Sequence, residues 1–227
     1  MNLTRRNFIL GAAVLVLGAG AFGAYQSLKW PQLKQRAAIG EAQAQSKVDT
    51  AELLKPPTLG ERSLGAADAK VTIVEYASST CPHCAKFYVD NFEALKKDYI
   101  DTGKVRFIFR EFPLNDVDLA AFMLARCAPE DKYFPLIHIY FEQQQTWTKG
   151  NPRDELFKIA KLAGFTQESF DVCLKDEKIA KGLLENRDQA EKLGVESTPT
   201  FFINGEILRG AESIEEFRKL IDAALAA

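Results

Sequence analysis

The sequence predicts an α/β fold in which one sheet is assembled from two distant halves, a βαβ unit and a ββα unit, with a helical insertion between them. Three observations lead there. An apolar, β-branched run from Val71 to Tyr76 passes into helix signals and then into a second, alternating run. The middle of the chain, roughly 116–193, reads as helix after helix. Two short apolar runs then flank Asn204-Gly205 ahead of a last amphipathic stretch. Neither outer part is a domain alone, so residues 61–115 and 194–227 are expected to form one sheet domain around the 116–193 insertion.

Each element has its own local warrant. Val71–Tyr76 is apolar enough for a strand covered on both faces. After Cys81, Phe87, Tyr88, Phe92 and Leu95 recur at helical spacing, and Gly103 ends the unit. Val105, Phe107 and Phe109 alternate with Arg106 and Arg110 as a second strand, which Pro113 closes. In the insertion, Leu119, Phe122, Met123 and Arg126-Cys127 mark one helix, and 133–145 another with Pro135 near its first turn. Pro152 and Asp154 open a third, with Leu156, Ile159, Ala160 and Ala163 on one face until Gly164 stops it. Thr166 and Asp176 start further helices, the last ending at Gly194. Asn204-Gly205 is a strong short hairpin signal. Ser213-Ile214-Glu215-Glu216 reads as a capping box for a final helix with the stripe Phe217, Leu220, Ile221, Ala224 and Leu225.

Ahead of this body, Arg5-Arg6 precede an uncharged stretch from Asn7 to Ser27, the charged and apolar regions of an export signal. Residues 1–25 are therefore expected to be an export signal or an N-terminal anchor. Thr4-Arg5-Arg6-Asn7-Phe8 is similar to the twin-arginine consensus, with an ordinary secretion signal as the alternative. Ala19-Gly20-Ala21 offers a cleavage site; if uncut, the 18 residues from Phe8 to Tyr25 sit at the lower edge of a spanning helix. That segment, 8–25, would tether the body to the inner membrane and leave it outside the cytoplasm. No cysteine follows the apolar run, so lipoprotein anchoring is excluded. Residues 26–60, polar, alanine-rich and broken by Pro56-Pro57, read as a linker, either a solvated spacer or a short amphipathic helix.

With 47% hydrophobic and 26% charged residues the composition is that of an ordinary globular protein. A net charge of −2 leaves no basic footprint and argues against nucleic acid as a partner. The four cysteines, Cys81, Cys84, Cys127 and Cys173, are too few for a disulfide scaffold but make two pairs. An exported body places them where disulfides persist.

Cys81 and Cys84 flank Pro82-His83 at the start of a helix, and four readings compete. A zinc or copper site needs a second close-spaced ligand pair. The other cysteines stand 46 apart and the only histidines are His83 and His138, so the spacing is poor for a metal-handling module. A staple closing so small a loop removes little chain entropy. A module that uses its body only for docking would not need both thiols. Redox chemistry accounts for the local design: a helix N-terminus favours the thiolate of Cys81, and protonated His83 adds positive charge beside it. A stabilised thiolate stabilises the reduced pair and makes the disulfide the stronger oxidant. Glu75, a carboxylate in an apolar strand, is costly without a task and could relay the proton of the second, more buried thiol. His138, between two isoleucines, is expected at a helix boundary, and Phe134, Tyr140, Phe141 and Trp147 in the insertion core.

From about residue 60 to 227 the chain resembles the DsbA-like thiol:disulfide oxidoreductases of the bacterial periplasm, proteins of thioredoxin fold. Cys81-Pro82-His83-Cys84 is the arrangement of strongly oxidising members, Glu75 stands at the family's buried-acid position, and Thr198-Pro199 matches its threonine and cis-proline. The resemblance implies a thioredoxin fold with a helical insertion domain and a redox-active disulfide between Cys81 and Cys84. Roles for His83, Thr198, Pro199 and Glu75 follow by the same likeness, with no cofactor and no metal. The pair Cys127 and Cys173 looks like the extra structural disulfide of an α-proteobacterial branch. The implied reaction is donation of the disulfide to reduced or unfolded exported proteins through a mixed disulfide, with the backbone at the cis-proline pairing with an extended substrate segment. A quinone-linked membrane oxidase of the DsbB type would reoxidise the pair. A disulfide isomerase or reductase of the same fold is the alternative.

Overall fold

The computed structural model describes residues 47–227; the expected export signal at 1–25 and residues 26–46 of the expected linker lie outside the described residues. Five strands form one sheet in the order β1-β3-β2-β4-β5, namely Arg62–Leu64 (β1), Val71–Ala77 (β2), Val105–Glu111 (β3), Thr200–Ile203 (β4) and Glu206–Arg209 (β5). β2 and β3 run parallel, and the other neighbours are antiparallel. The two halves of the chain meet at β2 and β4, with Glu75 opposite Phe201, so the sheet closes across the insertion. β1 was not expected. It has no alternation of its own and exists by pairing with β3, Ser63 opposite Ile108.

The period of two along each strand divides the core. Ile73, Glu75 and Ala77 of β2, with Phe107, Phe109 and Glu111 of β3, share one face; Val74, Tyr76 and Ile108 point to the other. The first face packs on the helix that starts at Pro82, on the insertion and on the C-terminal helix, through Phe87, Tyr88, Phe122, Phe141 and Phe217. The second is covered by Leu53, Phe112, Ala190 and Val195. The described end of the expected linker, 47–60, is thus a packed strap rather than a solvated spacer. Helix α1, Thr50–Leu53, is capped by Asp49 and buries Leu53. The Val48 N–H donates to the Gly205 carbonyl at 3.0 Å, and Arg110 donates to the Lys55 carbonyl at 3.2 Å. This covering also corrects the expected alternation of β3, because Arg110 lies buried beneath the strap against Tyr76 rather than on a wet face.

Helix α2 begins at Pro82–Phe87 with Cys81 as its N-cap (φ −79°, ψ 120°) and proline in its first turn, where the missing N–H has no partner to lose. It runs on to Ile100 through two widened π-helical turns, Tyr88–Phe92 and Lys96–Ile100. The insertion holds Asp116–Cys127 (α3), Glu130–Glu142 (α4), Gln144–Trp147 (α5), Pro152–Leu162 (α6), Gln167–Cys173 (α7) and Glu177–Lys192 (α8). The single helix expected over 133–145 starts earlier, keeps Pro135 in its interior and breaks after Glu142, so Gln144 opens a new turn. Tyr140, Phe141 and Trp147 are buried, and His138 sits at a boundary with Nε2 3.1 Å from Glu142. Asn204 and Gly205 both have positive φ (47° and 87°), the type I′ geometry that two-residue hairpins require. In the last helix, Ile214–Ala226 (α9), the capping box is half made: Ser213 accepts from the Glu216 N–H, but the Glu216 carboxylate pairs with Lys219 instead.

Candidate active site

The end of β2 delivers the chain to a loop, Ser78-Ser79-Thr80, and the loop delivers Cys81 to the start of α2. Cys81 and Cys84 stand as free thiols, the first 8% exposed and the second not at all. Only Cys81 therefore opens to solvent, and only by a narrow margin. Its thiol donates to the Thr198 carbonyl at 3.2 Å, across the Thr198-Pro199 peptide, which is cis. The second half of the chain thus places Thr198 and Pro199 against a sulfur contributed by the first.

The two thiols are driven apart electrostatically. Cys81 is lowered to about 5, chiefly by the hydrogen bond from the Cys84 thiol; burial opposes this, and the Thr198 side chain and the backbone N–H groups of Cys84 and His83 support it. The bond to the Thr198 carbonyl favours the neutral thiol, so the fall comes from the donors. Cys84 moves the other way, raised by burial first, then by its bond to Cys81 and by the charges of Cys81 and Glu75. His83 reaches the thiolate through its N–H, while its imidazole stands exposed. The side-chain charge expected from the sequence is not among the groups that hold Cys81 down.

Glu75 is fully buried on the face of β2 that meets α2. Burial raises its pKa well above the usual carboxyl range, partly offset by the Tyr88 hydroxyl, which donates to Oε2 at 3.2 Å; the charge of Cys81 raises it further. Its other oxygen, Oε1, is buried with no partner. Tyr88 lies four residues after Cys84, one turn along the same face of α2. That spacing could have singled it out from the sequence.

Other residues around the thiols were also missed. The buried carboxylate of Asp118 in α3 accepts from the Ser79 N–H at 2.8 Å, the Ser79 hydroxyl at 2.5 Å and the Leu114 N–H at 2.9 Å. Asn115 donates to the Thr80 hydroxyl at 2.9 Å. Gln144 donates to the carbonyls of Ser79 and Cys81. Nothing local in the sequence links these residues to a loop 35 or more positions away. Cys127 and Cys173 are joined by a disulfide between the ends of α3 and α7, with Cα atoms 6.1 Å apart. Among the described residues, no group of three or more His, Cys, Asp or Glu side chains gathers as a metal donor set.

Comparisons with known proteins agree with this geometry. The family model described as Thioredoxin matches residues 58–223. A relative from Rickettsia bellii, named as a protein-disulfide oxidoreductase, is 36% identical over 86% of this chain and 72% of its own. In a Rickettsia typhi relative of the same name, 39% identical, the match spans 71% of this chain and 61% of that one. The crystal structure of Wolbachia pipientis alpha-DsbA1 is similar with a TM-score of 0.71 and 33% identity, covering 77% of this chain and 96% of that one. The chain belongs to the thioredoxin family and, within it, to the DsbA-like thiol:disulfide oxidoreductases.

Proposed function

We propose that the chain is exported to the periplasm and there donates a Cys81–Cys84 disulfide to folding proteins. One observation carries the reading: Cys81 caps α2 at the surface against the Thr198 carbonyl, while Cys84 and Glu75 are fully buried behind it. The arrangement lowers the outer thiol toward the thiolate and favours the neutral forms of the two buried groups. A substrate thiolate attacks the Cys81 sulfur, forming a mixed disulfide and expelling Cys84 as a thiolate. Glu75, kept protonated by burial, supplies the proton that Cys84 takes up. The substrate's second thiolate then attacks its own sulfur in the mixed disulfide, and Cys81 leaves in its favoured thiolate form. Two electrons pass from the substrate dithiol to the pair, and the substrate gains the disulfide.

The reduced pair is the stable state in this scheme, so reoxidation needs a strong acceptor. A quinone-linked membrane oxidase of the DsbB type fits that need, and on reoxidation the Cys84 proton returns to Glu75. The Thr198-Pro199 segment, whose carbonyl meets Cys81, is placed to pair with an extended stretch of substrate. Thr198, Pro199 and His83 act at Cys81. Cys127–Cys173 holds α3 to α7 and takes no part in exchange. Residues 1–25 direct export by cleavage or as a tether; among the described residues no helix is long and apolar enough to cross a membrane.

Trapping tests the order of events. Cys84→Ser should accumulate mixed disulfides with exported proteins, because the neighbouring thiol that can attack Cys81 and displace a bound substrate is gone, whereas Cys81→Ser should trap none. Equal trapping by the two variants, or none by either, contradicts the scheme.

A further inference from the structure

The helical insertion reaches the thiols through side chains that the thioredoxin-type sheet and its own helices do not supply. Gln144, 3% exposed at the start of α5, turns its amide toward the Ser78-Ser79-Thr80 loop. Its Nε2 donates to the Ser79 carbonyl at 2.8 Å and to the Cys81 carbonyl at 2.9 Å. Both partners are acceptors only, so the amide nitrogen, not the oxygen, must face them. The Cys81 carbonyl is also the first acceptor of α2, taking the Ala85 N–H at 3.1 Å. Gln144 thus clamps the peptide plane that joins Cys81 to the helix, and with it the ψ of 120° at Cys81.

We propose that Gln144 is a positioning residue for Cys81, by which the insertion sets the reactivity of the nucleophilic thiol. The proposal rests on the reading of Cys81 as nucleophile. The physical link is short. The donors that favour the thiolate include the backbone N–H groups of His83 and Cys84, which belong to the first turn of α2. Their aim at the sulfur depends on how Cys81 enters that turn, and the orientation of the Cys81 carbonyl defines the entry. The Asp118 carboxylate fixes the same loop from its other side through the Ser79 N–H and hydroxyl, so the loop is held between two insertion helices. With the amide gone, the Cys81 carbonyl keeps its bond to Ala85, but the loop ahead of it is left with Asp118 of α3 and Asn115 at its N-cap, and nothing from α5. The peptide plane can then rock, and the N–H donors spend less time on the sulfur. Packing alone would give a different result: a side chain of equal size would restore the site.

The test uses Gln144→Met, which keeps length and volume but carries no donor, alongside Gln144→Ala. Cys81 is titrated by its thiolate absorbance in the reduced full chain, and thermal stability is followed in parallel. In Gln144→Met the midpoint should rise by about one pH unit, a tenfold loss in the thiolate equilibrium. The pair should become less oxidising by about 30 mV, the tenfold equivalent for a two-electron couple. Gln144→Ala should show the same rise or a larger one. A wild-type midpoint near 5 that Gln144→Met leaves unmoved would overturn this proposal alone. Loss of the fold in Gln144→Met would overturn it as well, by assigning the residue to stability. A wild-type midpoint near the free-thiol value of ~8.5 would instead overturn the functional reading beneath it.

Discussion

Two glutamates lie on the same face of neighbouring parallel strands, both without solvent exposure, and they live in opposite chemical circumstances. Glu75 of β2 pairs in register with Phe109 of β3, and Glu111 of β3 pairs with Ala77, so the two are displaced by two residues along one face. Glu111 is saturated: Arg126 of α3 grips both of its oxygens, and the Tyr133 hydroxyl of α4 donates to Oε1 at 2.6 Å. Glu75 has one hydrogen bond, from Tyr88, and a bare oxygen. A buried carboxylate is tolerable when paired and fully hydrogen-bonded, and otherwise it holds its proton. The saturated acid ties the sheet to the insertion. The unsaturated one lies where its charge is felt by Cys84, and its proton is available.

The contrast breaks most visibly at Glu111. Arg126→Met leaves a buried carboxylate with a single partner and also frees the Leu59 and Gly60 carbonyls that the guanidinium holds. Urea unfolding should show a loss of about 3–5 kcal/mol, with the oxidase turnover of the molecules that remain folded largely kept. A loss comparable or slightly smaller is expected at the other insertion tie. Replacing both Cys127 and Cys173 with alanine opens a loop of separation 46, an effect of up to roughly 4 kcal/mol in the chain-entropy model. Oxidase turnover should be spared there too. Free thiols at both positions by mass spectrometry would end that expectation.

Glu75→Gln should act in the opposite sense. A raised carboxyl means that the folded state binds more protons than the unfolded one, so stability falls as pH rises above the ordinary glutamate value of 4.5. The glutamine variant should lack that fall and melt higher than wild type at neutral pH. It should also slow the release of Cys84 from the disulfide, because the proton donor is gone. A lower melting point at neutral pH would show that Glu75 is compensated like Glu111. The smallest effect belongs to His83→Ala. It keeps the backbone N–H that supports the thiolate, so the Cys81 midpoint should move by less than about one pH unit.

The same pair of acids shows what was legible in the sequence. Glu75 could be singled out because a lone carboxylate interrupts an apolar run six residues before a cysteine. Glu111 could not: it ends its strand beside Phe112-Pro113, and its partners lie 15 and 22 positions away in the insertion. The strands with a local pattern of their own were visible, β2, β4 and β5 as apolar runs and β3 by its alternation, as were the helices with polar caps at Thr166, Asp176 and Ser213. β1 was not, since three residues acquire strand character only by pairing. The strap at 47–60 was misjudged for a related reason. Its polar, proline-broken composition suits a spacer, and what holds it to the body is tertiary: the carbonyls taken by Arg110 and Arg126, the Val48 N–H on Gly205 and the buried Leu53. Cys81 and Cys84 were legible from a local motif, whereas Gln144 and Asp118 act through tertiary contacts that leave no local mark.

The central claim is directional: the Cys81–Cys84 pair gives its disulfide away. It is tested most directly by equilibrating the full chain with a glutathione buffer poised to oxidise a thioredoxin-type pair, then quenching with acid and counting free thiols. With Cys81 lowered to about 5, the reduced form is stabilised and the pair should remain largely reduced in that buffer. A pair that oxidises together with the thioredoxin-type reference would contradict the account and mark the protein as a reductase or an isomerase.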